Sequence, residues 1–259
     1  VKRYLEGKIM NDFNPNYQYG AVNGAMDMSV DQGLRSFMLG VYNKMGLGLV
    51  LSGALAYAAA FVPAVRDLLF NTQGGYVTGY TGLGMIVAFA PMVILLGTGF
   101  FMRNPSKTGA SLLYWTIVSL MGLGMGVLAL VYTGQSLATT FFVTAATFGA
   151  LSLYGYTTKK DLSGFGTFLF MALFGLIIAS LVNVFILKSG MMSLIISGIG
   201  ILIFAGLTAY DTQKLKTTYY QLGGNETAMS VATSYGALEL YLDFINLFVM
   251  LLRFMGDRR

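Results

Sequence analysis

Cysteine and histidine are both absent from this chain of 259 residues. Without cysteine there is no disulfide, no thiolate nucleophile, and no iron–sulfur or cysteine-type zinc site. Without histidine a Ser-His-Asp or Cys-His hydrolase and a His-ligated metalloenzyme are excluded, and any response to pH near neutrality has to come from carboxylates. Charge is scarce as well: Asp, Glu, Lys and Arg make up 10% of the residues, against about 25% in a soluble globular domain. A chain so poor in charge and 56% hydrophobic reads as an integral membrane protein.

What the chain has instead is long uncharged runs. A bilayer-crossing helix needs about 20 mostly apolar residues. Residues 45–65, 68–102, 162–187 and 189–210 can each hold one span, 108–158 can hold two broken at Thr133-Gly134-Gln135-Ser136, and the apolar stretch around Asp243 makes a seventh. A membrane barrel would show alternating segments of roughly ten residues, whereas Leu47–Phe61, Phe168–Val182 and Leu194–Leu207 are continuously apolar. The expected fold class is therefore an all-α integral membrane protein with seven transmembrane helices. Residues 1–34 read as a polar cytoplasmic N-terminal tail, rich in Asn, Gly and Asp and without a signal-peptide pattern, and residues 35–259 as the membrane domain.

Under this topology eleven of the sixteen Lys and Arg residues fall on the N-terminal side, Lys44, Arg103, Lys107, Lys159, Lys160, Lys214 and Lys216 among them. Arg66, Lys188, Arg253, Arg258 and Arg259 fall on the other. The positive-inside bias puts the N-terminus in the cytoplasm and the C-terminus outside, unless the last segment is re-entrant. The net charge of +5 is met by an anionic lipid leaflet and calls for no nucleic acid. The GLGMG run at 122–126 has the spacing of close helix packing; it lies inside an apolar span, not at a phosphate-binding turn.

Three acids remain near or inside the spans. Asp211 lies in FAGLTAYDTQKLK at the end of the sixth span, and Glu239 and Asp243 lie four residues apart in ALELYLDFINLFVMLLRFMGDRR, on one helix face. Intramembrane carboxylates are costly and by default functional; the competing reading is a polar lock between helices. With the last two spans antiparallel, Asp211 and Asp243 can meet. Two such carboxyls cannot both ionise cheaply and would share a proton; when ionised they are a hard oxygen site suited to Ca²⁺. Glu239 is expected nearer the interface, as an accessory metal ligand at most. Asn246, one turn beyond Asp243, and Asn183 are candidates for lining a pathway, although both are also residues that lock helices by hydrogen bonds. Tyr210 and Tyr241 flank the aspartates and can donate to them.

FAGLTAYDTQKLK and YLDFINLF resemble the closing helices of the Bax inhibitor-1 family, the transmembrane Bax-inhibitor-motif proteins with bacterial YccA-like and YetJ-like members. FFMRNPSK (100–107), KKDLSGFGTFLF (159–170) and NVF (183–185) add weaker similarity. The resemblance implies six helices around a central C-terminal helix, in a bacterial inner membrane, and a pH-sensitive calcium leak without enzymatic activity. It implies that Asp211 and Asp243 form the proton sensor and gate, with Arg103 as a latch able to pair with Asp211. Some bacterial members carry an acid three turns before that arginine, where this chain has Met92 beside Pro91. The partners implied are membrane lipid, protons and Ca²⁺, and, from another class of function, a membrane-bound AAA protease that the chain would regulate through its tail. A proton-coupled transporter stays open. A paired-aspartate protease does not, because neither TAYDTQ nor YLDFIN supplies a GxGD context.

Overall fold

The computed structural model describes residues 32–74, 76–101 and 105–259. Among them the chain forms helices α1 (Gln32–Phe61), α2 (Pro63–Leu69), α3 (Gly82–Phe101), α4 (Lys107–Val131), α5 (Gly134–Thr157), α6 (Ser163–Val182), α7 (Gly190–Gln221) and α8 (Glu226–Met255). A two-stranded antiparallel hairpin, β1 (Phe70–Gln73) and β2 (Tyr76–Tyr80), stands between α2 and α3. The expected tail lies outside the described residues as far as Asp31. Its last three residues do not belong to it: Gln32, Gly33 and Leu34 open α1, and Leu34 is fully buried.

Short polar side chains set the helix starts. Ser106, Thr133, Ser189 and Asn225 stand just before α4, α5, α7 and α8, and each accepts the backbone N–H three residues on, satisfying a donor that the first helical turn leaves free. The turn from α7 to α8 is tight, with Gly223 and Gly224 at φ +56° and +81°, a left-handed backbone that glycine adopts without penalty.

The molecule wears its apolar residues outward. Phe142, Phe174 and Leu202 are each about 70% exposed, in company with many other large hydrophobic side chains on the helix exteriors, a surface suited to hydrocarbon and not to water. Helices α1, α4, α5, α7 and α6 with the π-turn that follows it (Asn183–Leu187) are long and apolar enough to cross a membrane; Gly82–Thr98 of α3 is a shorter apolar helix. The chain is an all-α membrane protein with one small hairpin.

The glycine run behaves as its spacing predicts. A β-carbon on Gly122 would meet the Ser52 Cα at 2.7 Å, and one on Gly126 would meet the Ala59 Cβ at 2.6 Å, so α4 lies directly on α1 along this stripe. Gly124, between them, points instead toward α3. Helix α8 packs against α1, α4, α5 and α7. Leu240, Tyr241 and Phe244 join Val41, Tyr114 and Ile117 in the largest apolar cluster, while Leu247 joins the α6–α7 cluster around Phe204.

Two expectations about boundaries are corrected. The uncharged run 68–102 is not all helix: its first third is the hairpin, whose Asn, Thr, Gln and Gly residues are uncharged yet turn-forming. The last two helices also run further than their apolar cores, α7 to Gln221 and α8 from Glu226, because polar residues continue a helix beyond the bilayer as readily as apolar ones do within it. At about 1.5 Å per residue, α1, α7 and α8 are some 45–48 Å long, beyond the roughly 30 Å of hydrocarbon. Helix α8 is unbroken from Glu226 to Met255.

Its far end is tied down. The Thr133 N–H donates to the Asp257 carbonyl at 3.1 Å, the Asp257 N–H to Ser136 Oγ at 2.9 Å and the Arg259 N–H to the Val131 carbonyl at 2.9 Å. The Arg258 guanidinium sits 5.7 Å from the Tyr132 ring centre. Residues after α8 thus clasp the α4–α5 turn.

Candidate paired-carboxylate site

The TAYDTQKLK segment falls on α7 and YLDFINLF on α8, and the short α7–α8 turn forces the two helices antiparallel and in contact along their length. Both aspartates point into that seam, and each is only 5% exposed. Their carboxyls lie within hydrogen-bond reach of each other. One oxygen of each, Asp211 Oδ1 and Asp243 Oδ2, is buried without a hydrogen-bond donor. Buried polar atoms are rarely left so, and a single proton held between the acids would supply the donor that no side chain provides.

The cation beside the pair is Lys214, three residues along α7. Its Nζ is 3.9 Å from Asp211 Oδ1 and 2.8 Å from Glu239 Oε1, so the lysine is committed to Glu239 and only brushes the buried pair. Lys214 and Glu239 are about 40% exposed, which places them at the open side of the site. The spacing Asp211–Lys214, one helical turn, was the available signal for this residue.

The other expected residues divide as follows. Glu239 does not complete a three-acid calcium site: it pairs with Lys214, and no group of three or more acidic side chains able to hold a metal ion forms among the described residues. Arg103 lies outside the described residues. Asn246 donates to the Leu242 carbonyl at 2.8 Å on its own helix. Asn183 is buried at the α6–α7 turn, where its amide donates to Ser193 Oγ at 2.8 Å and the Ser189 carbonyl at 3.2 Å and accepts the Ser189 N–H. Ser193 and Asp211 are eighteen residues apart on one helix, about 27 Å, so Asn183 locks a turn and lines no path near the pair. Tyr241 is fully buried and bonded to Ser52 Oγ at 2.7 Å. Tyr210 packs edge-on against Phe170 and over Gly166. Neither tyrosine donates to an aspartate.

A polar thread that the sequence did not announce runs from the neighbour of Asp211. Thr212 Oγ1 donates to the Thr208 carbonyl at 2.8 Å and meets Ser152 Oγ of α5 at 2.9 Å, and Ser152 meets the Tyr42 hydroxyl of α1 at 2.5 Å. These are isolated hydroxyls on apolar helices, and nothing in their spacing shows that they converge.

Comparison with known proteins agrees with the closing-helix motifs. A family described as "Inhibitor of apoptosis-promoting Bax1" matches residues 34–259. A Caulobacter vibrioides protein described only as uncharacterized is 61% identical over 250 residues, covering 96% of this chain and all of that one. The Escherichia coli "Inner membrane protein YbhL" is 46% identical over 228 residues, 88% of this chain and 94% of its own. A Rickettsia prowazekii protein, also uncharacterized, is 46% identical over 229 residues, 88% of this chain and 92% of its own.

Proposed function

This chain belongs to the Bax inhibitor family, and from that footing we propose that it is a calcium leak of the bacterial inner membrane whose opening is governed by the protonation of Asp211 and Asp243. The observation that carries the reading is the buried pair itself, two carboxyls in mutual reach with one oxygen each lacking a donor. Such a pair is stable with one proton and unstable with none, unless a cation arrives. Ca²⁺, as cargo, and H⁺ would then compete for the same oxygens. Loss of the proton would part α7 from α8 and shift the population toward an open state. In the proposed topology seven spans surround or include α8. The N-terminus would lie in the cytoplasm with the basic ends at Lys107, Lys159, Lys160, Lys214 and Lys216, and Arg103, outside the described residues, would be the second partner of Asp211.

The test is Ca²⁺ flux into proteoliposomes from pH 5 to 8 for the parent protein, Asp211→Asn and Asp243→Asn. An asparagine keeps the contact and brings its own N–H donor, so the variants should fold while losing the response to pH. A parent that leaks with a pH dependence flattened in both variants supports the reading. A parent that is tight at every pH overturns it and favours regulation of a membrane-bound AAA protease.

A further inference from the structure

We propose that the groove between α1 and α5 is a binding site for one anionic phospholipid, with the phosphate on Arg35 and an acyl chain laid against Phe148. Helix α1 is packed on α4 and α8, and α5 on α7 and α8, which leaves a cavity of about 580 Å³ between them. That is within the range of about 300–1,000 Å³ typical of small-ligand sites.

The chemistry of the groove changes along its length. Its walls are Met38 and Leu39 from α1 and Phe148 and Leu153 from α5; Leu39 and Leu153 are 50% and 63% exposed, so the groove faces the bilayer. At the floor, Tyr42 and Ser152 bond to each other, and Ser152 to Thr212 behind it, so they ask nothing of a ligand. At the mouth stands Arg35, among the described residues the one charged member of the lining, with neither an ion pair nor an acid beside it in the groove.

Depth decides what kind of molecule fits. Tyr154 and Tyr156, followed by Lys159 and Lys160, close α5, the aromatic and basic sequence of a membrane–water interface. Arg35 is seven residues from Tyr42 on α1, about 10 Å, and shares the lining with Tyr156. The charge therefore sits at headgroup level and the apolar walls descend into hydrocarbon. A soluble metabolite would leave those walls uncovered. A zwitterionic lipid would gain less from a lone guanidinium, which binds phosphate best where no neighbouring ammonium competes.

Native mass spectrometry of the full chain, purified in neutral detergent and supplied with equal amounts of phosphatidylglycerol and phosphatidylcholine, tests the proposal. One phosphatidylglycerol should be retained in preference by about fivefold, the effect of one basic residue at an anionic surface. Arg35→Gln should bring that ratio to about one. Gly149 also lines the groove, and a β-carbon there meets nothing within 4 Å, so Gly149→Phe should fill the space and remove the lipid without disturbing helix packing. Circular dichroism of both variants verifies the fold. The parent also carries a test of its own: a diazirine-bearing phosphatidylglycerol should label peptides within 38–42 and 148–156. Equal retention of the two lipids, retention of a free fatty acid instead, unchanged binding in Gly149→Phe, or labelling confined to other helices would each refute the site.

Discussion

At the scale of single residues the structure separates hydroxyls that hold the bundle together from a pair of carboxyls buried with an oxygen each that no donor meets. Tyr241 and Ser52 belong to the first kind. Ser52 Oγ donates to the Val118 carbonyl at 3.0 Å, so the tyrosine hydroxyl is the donor in their 2.7 Å bond. The two halves of that bond are not equivalent. Tyr241→Phe removes a donor and leaves Ser52 bonded, at a cost of about 1 kcal/mol. Ser52→Ala strands a buried hydroxyl and should cost more, roughly 1–3 kcal/mol. Thermal unfolding in detergent should rank the serine variant as the less stable, and equal midpoints would mean that the tyrosine finds another acceptor. Asp211 and Asp243 belong to the second kind, and their pairing was legible in the sequence because a carboxylate inside an apolar helix is conspicuous. The tyrosines beside them were misleading for the opposite reason: a flanking position along the chain is a different face of a helix, and Tyr241 looks toward α1 while Asp243 looks toward α7.

At the scale of elements, the apolar runs located most of the helices and the small-residue spacing located a contact. Gly122 and Gly126 sit where the backbone of α1 leaves no room, so Gly122→Leu should overpack the α1–α4 seam and cost about 1–3 kcal/mol or more, while Gly124→Leu, facing open space apart from Ala88 Cα at 3.8 Å, should cost far less. Unfolding midpoints of the two variants check the asymmetry. The ends of α7 and α8 and the β1–β2 hairpin were not legible to the same degree. Hydropathy sees the part of a helix inside hydrocarbon and is silent on Lys214–Gln221 and Glu226–Ser234. It also treats the uncharged NTQGGYVTGY as compatible with a span, although Gly74 takes a left-handed φ of +58° at the hairpin turn. The same blindness hid how far along its helix Glu239 sits: from the observed start at Glu226 it lies about 20 Å along α8, yet on the open side beside Lys214, as its expected place nearer the interface than Asp243 implied.

At the scale of the whole molecule, α8 packs against four neighbours, and the residues after it fasten it to the α4–α5 turn. Deleting Gly256–Arg259 removes two backbone–backbone hydrogen bonds to the α4–α5 turn, the Asp257 N–H bond to Ser136 Oγ and the Arg258–Tyr132 contact. Hydrogen exchange should then rise in Val131–Ser136 and the last turn of α8 while the α7–α8 seam near Asp211 stays protected; unchanged exchange at the turn would show that the clasp adds nothing to its order. None of this was visible in FMGDRR, whose hydrogen bonds to the turn are made by its backbone groups, with a partner more than 120 residues away. The clasp makes α8 a lever. Its fulcrum is at Asp257, about 21 Å from Asp243, and its opposite end at Glu226 lies about 26 Å beyond the aspartate. A sliding stroke along the helix axis would have to tear the fulcrum away, whereas a tilt of a few degrees about it would carry Asp243 sideways by an ångström or two and the α7–α8 turn by about twice as far.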